Sequence, residues 1–553
     1  MNKTCAACSQ SFEITQDDLA FYQKVSPVFA GKRYDIPPPT YCPQCRDQRR
    51  LSIVNIRNLY TRKADDTGKD VVSIYAPDAP MTVCEAETWW SDSWDPMQYG
   101  KDFDFSRPFF EQMKELIQSV PIMSLIVHGN QNSPFVNYAG WNQNCHMCFC
   151  TDHSEKSMYC QDCYYAKHTL DCAHSYNLEL CYECTDCSDC YNVRNAQQSA
   201  NCSDSAYLYD CLGCRNCTGC VGLRQKEYCY LNEQLTKDAY EERLKSVFDE
   251  PAYKKLLAAH PRKAMIGLQN ERSFGNYLLN CKNAQACYDC NGMEDSKFCT
   301  NMKGGGKDCY DVYRWGHPAE LCYECCGVGE GVTHFLFDAC CWDGKSDVYY
   351  GNYCISSDSC FGCCCIRHKK YCILNKQYTK EQYEELVPKI IAHMQKTGEW
   401  GEFFPPDLFP FGYNETPAQE YYPMTKEQVE TKGWKWRTQE HEMPKVEKVI
   451  PGAKLPSSIK DIPDDILNWA VTCEVTGRPF RIIKQELAFY RERGLPVPHV
   501  HPDERHNRRM ALRNPRTLWK RQCAKCKKDV QTTYDPKRPE IVYCEQCYLD
   551  TVY

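Results

Sequence analysis

Asn201-Cys-Ser-Asp-Ser-Ala-Tyr-Leu-Tyr-Asp-Cys211-Leu-Gly-Cys214-Arg-Asn-Cys217-Thr-Gly-Cys220 is the stretch on which the fold turns. Cysteines return nine residues apart, at Cys202, Cys211, Cys220 and then Cys229. The same interval joins Cys163, Cys172, Cys181 and Cys190, and later Cys281, Cys290 and Cys299, and Cys354, Cys363 and Cys372. Asn, Asp, Ser and Gly crowd around them, and short Tyr, Val and Leu pieces lie between. Turn-forming residues at a fixed interval without a helical pattern predict a coiled β-solenoid, or a similar array of stacked turns.

Working outward, 32 of the 42 cysteines of this 553-residue chain lie between Cys145 and Cys372, sixteen in each of two halves. The halves repeat one another. Val221-Gly-Leu-Arg224-x-Lys226-x-Tyr228-Cys229-x-Leu231-Asn232 matches Cys364-Cys-Ile-Arg367-x-Lys369-x-Tyr371-Cys372-x-Leu374-Asn375, and each leads into a helix at Tyr240 or Tyr383. Leu-Cys-Tyr flanked by Glu recurs at Leu180 and Leu321. Helical spacing marks 107–120, and Thr379-Lys-Glu-Gln382 and Thr425-Lys-Glu-Gln428 read as capping boxes, the second helix ending by Gly433.

The two ends also copy each other. Cys5-x-x-Cys8-x3-Phe12, Asp18-Leu-Ala-Phe-Tyr22 and Cys42-Pro-Gln-Cys45-Arg-Asp-Gln-Arg-Arg50 correspond to Cys473-x-x-Thr476-x3-Phe480, Glu486-Leu-Ala-Phe-Tyr490 and His501-Pro-Asp-Glu504-Arg-His-Asn-Arg-Arg509. A second block, Lys69 to Cys84, is matched by Lys528 to Cys544. Each end is therefore a tandem of two knuckle modules. The expected architecture is mainly β and multidomain: zinc-ribbon tandems flanking a duplicated cysteine-rich, β-solenoid-like array with a few helices. The expected order is an intact ribbon at 1–56, a degenerate one at 57–100, a helical connector at 101–130, and array copies with their helices at 131–262 and 263–400. A Pro/aromatic linker at 401–465, a degenerate ribbon at 466–515 and an intact ribbon at 516–553 complete it. The aromatics Trp89, Trp90, Trp94, Phe103, Phe105, Phe109 and Phe110 read as a seam between ribbon and array.

Cys5, Cys8, Cys42 and Cys45 form one CxxC…CxxC set, and Cys523, Cys526, Cys544 and Cys547 another. Two close thiolate pairs suit tetrahedral zinc, and about two structural Zn2+ ions are expected. Ala64 and Thr67 stand where one copy would need ligands. The other copy reads Cys473, Thr476, His501 and Glu504, a spent site or a Cys/His/Glu zinc with an open position. Within the array, Cys145-x-x-Cys148-x-Cys150-x-x-His153 is the leading metal candidate. The remaining central cysteines admit three readings: a ladder of reduced thiols, metal clusters in runs such as Cys181-x-x-Cys184-x-x-Cys187-x-x-Cys190, or disulfides.

On Cys5-x-x-Cys8, Phe12, Phe21-Tyr22, Pro39 and Cys42-Pro-x-Cys45-Arg, the end modules resemble a family of small zinc-ribbon domains. The whole chain is similar to a set of long, cysteine-rich, uncharacterised bacterial proteins that carry such ribbons at both ends. The resemblance implies zinc binding and a cytosolic setting, and no activity.

Charge is segregated. Residues 505–528 hold ten Lys/Arg and no Asp/Glu, whereas 145–232 hold six basic residues against eleven acidic. Arg46, Arg49, Arg50, Arg505, Arg508, Arg509, Arg513, Arg516, Lys520 and Arg521 are therefore candidates for contact with RNA or DNA. Docking onto an acidic partner, including the acidic array of this same chain, is the alternative. No run of about 18 apolar residues and no signal-peptide pattern is present, so a cytoplasmic protein without a membrane span is expected. No P-loop, HExxH, GxSxG or dinucleotide fingerprint occurs. The favoured function is a zinc-binding scaffold or adaptor that touches nucleic acid or a ribonucleoprotein through its basic ends. The alternatives are a thiolate-rich metal store and a hydrolytic zinc enzyme built on Cys473, His501 and Glu504.

Overall fold

The structure, a computed structural model, describes residues 1–341, 344–438 and 444–553. It divides into two compact units, each assembled from separate parts of the chain. Met1–Ile126, Arg262–Arg437 and Pro515–Tyr548 form the first, and Val127–Pro261, Thr438–Asn514 and Leu549–Tyr553 the second. Five residues of the Pro/aromatic stretch, 439–443, lie outside the described residues.

The second unit holds the first array, a parallel β-solenoid. Tyr191 pairs with Ser203, Ser203 with Arg215 and Arg215 with Glu227, so one coil is twelve residues long. The nine-residue cysteine interval is thus not the coil. The finer repeat is three. Left-handed backbone recurs at Asp186, Asp189, Asn192, Asn195 and onward at every third position. The residue after each left-handed one turns inward: Cys181, Cys184, Cys187 and Cys190 occupy four successive sides of a coil and are all buried. Nine residues are three of those four sides. The crowding of Asn, Asp and Gly now has a cause. These residues adopt positive φ at least cost, and they precede the inward residue in Asp171-Cys172, Asp210-Cys211, Gly213-Cys214 and Asn216-Cys217.

The lumen is narrow and takes small side chains: Cys, Ser, Thr and Ala, with occasional Val and Leu. Its thiols do more than fill space. Cys181 donates to the carbonyls of Glu179 and Cys190, both at 3.4 Å, and Cys184 to those of Tyr182 (3.5 Å) and Val193 (3.4 Å). Serines at equivalent positions do the same, as Ser175 does to Ala173 at 2.8 Å. A weak donor on a small apolar group suits a wall whose carbonyls already accept one backbone hydrogen bond. All of these cysteines are free thiols, which favours the ladder over disulfides.

The first unit holds the second array, whose strands make one eleven-stranded sheet in chain order, parallel except for its last hairpin. Here the coil length varies. Lys282 pairs with Glu294 twelve residues on, but Gly306 with Ala319 and Thr333 with Ser346 thirteen on. Each array ends in a helix, Lys237–Arg243 or Lys380–Thr397, the latter opened by the Thr379/Gln382 capping box. The helix predicted over 107–120 spans Phe109–Ser119, and that at Thr425 spans Lys426–Thr431 with Gly433 in left-handed conformation just beyond. Phe403, Phe404 and Phe409 are buried in the first unit, where Phe404 meets Phe110. Trp89 is fully buried beneath Arg367, in keeping with a seam. Among the described residues, no helix is long and apolar enough to cross a membrane.

Candidate metal centres

All four end modules share one knuckle turn. The amide of Cys5 donates to Gln10 and that of Ser9 back to Cys5, with Ser9 left-handed. Cys523 with Lys528 and Lys527, Cys473 with Arg478 and Gly477, and Ala64 with Lys69 and Gly68 repeat this pattern. The second knuckle opens a helix. Cys42 caps Pro43–Leu51 and puts Cys45 on its first turn, and Glu545–Val552 places Cys547 likewise. The turns therefore survive where ligands are lost.

Two groups of side chains converge. The donor atoms of Cys5, Cys8, Cys42 and Cys45 lie within 4.8 Å of one another, as do those of Cys523, Cys526, Cys544 and Cys547. Cys8 and Cys42 are 3.8 Å apart, and Cys526 and Cys544 3.7 Å. A tetrahedron of sulfurs at about 2.3 Å from a zinc ion has edges of about 3.8 Å, so the thiols fit such an ion. The electrostatics split each group: hydrogen bonding within it lowers some thiols and raises others, Cys45 through Cys42 and Cys547 through Cys544. A hydrogen bond from the Cys45 thiol brings Cys42 down to about 5, against its burial. At Cys523 burial raises the thiol, but the amides of Cys526 and Cys544 outweigh it and bring it to about 6. The Cys42 amide donates to Cys5 Sγ at 3.2 Å.

The other candidates are not gathered in this way. Cys145 and Cys148 face the lumen, where their thiols donate to Ser154 and Ser157. Cys150 and His153 stand on left-handed outward positions, and His153 stacks between Trp141 and Tyr165. The set is corrected accordingly: the three-residue turn sends its members to opposite sides of the wall. The run Cys181 to Cys190 is spread around a coil for the same reason. At the degenerate ribbon, Cys473 is buried, His501 caps Pro502–Ala511 by accepting from Asp503, and Glu504 accepts from Asn507. These three do not converge, and the open-zinc reading of Cys473, His501 and Glu504 is corrected. Cys84 keeps one ligand position without its fellows, and burial pushes its thiol up to about 12.

The basic residues need the largest correction. Arg46, Arg49, Arg50, Arg505, Arg509, Arg513 and Arg516 are buried, each against carboxylates of its own unit. In the first unit Arg46 meets Asp311 at 2.8 Å, Arg50 meets Asp311 and Glu324 at 3.3 Å, and Arg49 meets Glu324 at 3.1 Å. Phe21 lies flat on Tyr310, 3.6 Å between ring centres. In the second unit Arg505 and Arg509 share Asp171 at 2.7 and 2.9 Å, Arg509 reaches Glu183 at 3.4 Å, and Arg513 holds Asp186 at 3.0 Å. Arg516 lies over Tyr421 and 3.5 Å from Asp289. A guanidinium sealed in this way is not available to a phosphate. Arg508 and Lys520 remain exposed and Arg521 half-buried.

The acceptors Asp171, Glu183, Asp311 and Glu324 were not anticipated. Their signal was in the chain: Leu180-Cys-Tyr-Glu183 and Leu321-Cys-Tyr-Glu324 present the same glutamate to the equivalent arginines Arg509 and Arg50. The end modules add sheet contacts. Val542–Tyr543 of the last module pairs with Arg262–Lys263, and Val83–Cys84 of the second pairs with Ile122–Met123.

The fold and its sites define a ribbon-bearing, thiol-lined β-solenoid. No family model and no curated protein matches the chain. Among solved structures, one matching chain is described as a "putative acetyltransferase from Desulfovibrio desulfuricans G20". It is 7% identical over 40% of this chain and 64% of that one, with a TM-score of 0.12, a likeness that carries no argument. This chain thus spans under two thirds of that chain's length.

Proposed function

We propose that the chain is a zinc-binding scaffold: two rigid solenoids braced by ribbons, with zinc in the two four-cysteine groups. The observation that supports it is the division of labour among the thiols. Two sets of four converge, while most array thiols face inward and are spent on backbone carbonyls. A metal store needs accessible thiolates, and among the described residues only Cys8 and Cys526 are exposed. The scaffold's partner is an RNA or an acidic protein surface. It is met through the cations that docking leaves exposed on the last ribbon: Lys520, Lys525, Lys527 and Lys528.

Elemental analysis of protein purified without oxygen, with thiol titration alongside, tests the reading. Two zinc ions per chain and unreactive array thiols are expected. Many metals per chain, with most thiols protected by them, would replace the scaffold with a store. For the partner, binding to single-stranded RNA should weaken steeply with salt and with charge reversal at Lys525, Lys527 and Lys528. Salt-insensitive binding, or none, removes nucleic acid.

A further inference from the structure

The two units are built on one plan, yet they part company at one place on the outer wall. Leu180-Cys-Tyr182 and Leu321-Cys-Tyr323 set the equivalence. Coil by coil, Tyr182 is followed by Arg194, Ala206 and Thr218. Tyr323 is followed by Leu336, Tyr349 and Phe361. The frame beside both columns is the same. Asn192 donates to Asp204 at 2.6 Å, and His334 meets Asp347 at 2.7 Å. Each ribbon grips that frame three residues beyond its Phe-Tyr pair. Arg493 donates to the Asn192 amide oxygen, and His334 Nε2 reaches the Val25 carbonyl at 2.8 Å.

In the first unit the place is filled. Leu336, Tyr349 and Phe361 are buried, and Phe29 of the ribbon packs on Tyr349 and Tyr383, with ring centres 6.0 and 6.1 Å apart. In the second unit Ala206 and Thr218 stand for two of those rings, and a cleft of about 330 Å3 opens. Tyr240, the counterpart of Tyr383, is buried in its lining with its hydroxyl 2.8 Å from that of Thr218. Arg194 takes the place of Leu336. It is exposed in the cleft and makes no ion pair among the described residues. Arg493 is half-buried in the same lining, and the carboxylates of Asp204 and Glu492 are exposed there.

Erosion of a packed contact does not call for a cation where a leucine stood. Two guanidinium groups in one cleft suit the forked recognition of a phosphate. Carboxylates beside them accept from hydroxyls. The volume lies at the lower end of small-molecule sites, about 300–1,000 Å3, and is too small for a polymer. We propose that this cleft of the second unit binds a small sugar phosphate. Arg194 and Arg493 take the phosphate, Asp204 and Glu492 take the hydroxyls, and the sugar occupies the space that aromatic rings fill in the first unit.

Titration calorimetry of the intact protein with ribose 5-phosphate is the test. One site per chain is expected, with a Kd below about 1 mM. Arg194→Leu and Ala206→Tyr each restore the side chain of the first unit, so both should keep or raise the melting temperature. Arg194→Leu should weaken binding at least about tenfold, the worth of one charge-assisted hydrogen bond. Ala206→Tyr should weaken it as much by filling the space. Inorganic phosphate should bind more weakly, and ribose should give no heat. No binding of ribose 5-phosphate, equal affinity in wild type and both variants, or equal affinity for ribose or for inorganic phosphate would overturn the proposal. Zinc content should be the same in all three proteins, so failure of the cleft leaves the ribbon reading standing.

Discussion

Replacing Asp311 by alanine tests how the first ribbon is held. Its carboxylate accepts from Arg46 Nε at 2.9 Å and pairs with Arg46 Nη2 at 2.8 Å and Arg50 Nη1 at 3.3 Å, and all three side chains are almost fully buried. Removing one partner of a buried ion pair costs about 3–5 kcal/mol, because a charge is left without its counterion. Glu324 still faces Arg49 and Arg50, so the lower end applies. The loss falls on docking of the helix Pro43–Leu51 rather than on its own hydrogen bonds. Hydrogen exchange of that helix's amides should therefore quicken by about 150-fold, and by no more than about 5,000-fold. Adding Arg46→Met with Asp311→Leu removes both charges and should restore most of the protection. Exchange within about threefold of wild type in Asp311→Ala would refute the view that arginine–carboxylate pairs clamp ribbon to array. Asp171→Ala should act in the same way on Pro502–Ala511.

Three further outcomes are expected. With metal removed, a thiol reagent should label Cys8, Cys526 and the half-buried Cys544 first and the array cysteines only on unfolding, as peptide mass mapping would show. Glu183 is raised to about 7, first by burial and then by Asp171, against the pull of Arg509. A raised carboxylate stabilises below its unfolded value of about 4.5, and the contribution is lost as pH rises through about 7. Glu183→Gln should thus remove a fall in second-unit stability between those limits, and identical pH profiles would contradict the assignment. Gly275 has φ of 151° and its Cβ would lie 1.8 Å from the Cys287 carbonyl oxygen, so Gly275→Ala should cost at least about 2 kcal/mol in denaturant unfolding. Gly31→Ala, with nothing within 4 Å but φ of 76°, should cost only the roughly 1–2 kcal/mol of a left-handed backbone.

The solenoid was legible because its turn chemistry is written at a fixed interval, but the interval read first was the wrong one. Nine residues separate cysteines such as Cys202 and Cys211 only because the two inward positions between them hold other residues, here Ser205 and Leu208. Asp-Cys and Gly-Cys pairs carried the finer period of three, since the left-handed residue must precede the inward one. The four-cysteine groups were readable because both ligand pairs are local and the knuckle turn fixes their spacing. Arg46 and Arg509 misled for the opposite reason. A basic run looks alike whether it meets a phosphate or a carboxylate, and the partners Asp311 and Asp171 lie 265 and 338 residues away.

The ribbon at 466–514 belongs to the array that ends near residue 230, while the array nearest to it in the chain belongs to the ribbon at the start. During synthesis this order imposes a wait. Glu183 leaves the ribosome 326 residues before Arg509, its partner. At about 5–20 residues per second that is roughly 15–65 seconds. Throughout it Met158, Tyr159, Leu170 and Tyr182, later packed with the ribbon, face solvent on the nascent chain. The opening ribbon likewise emerges long before Asp311. Each half of this molecule is therefore made first as an unfinished surface. In a cell, that interval is when a chaperone would find it.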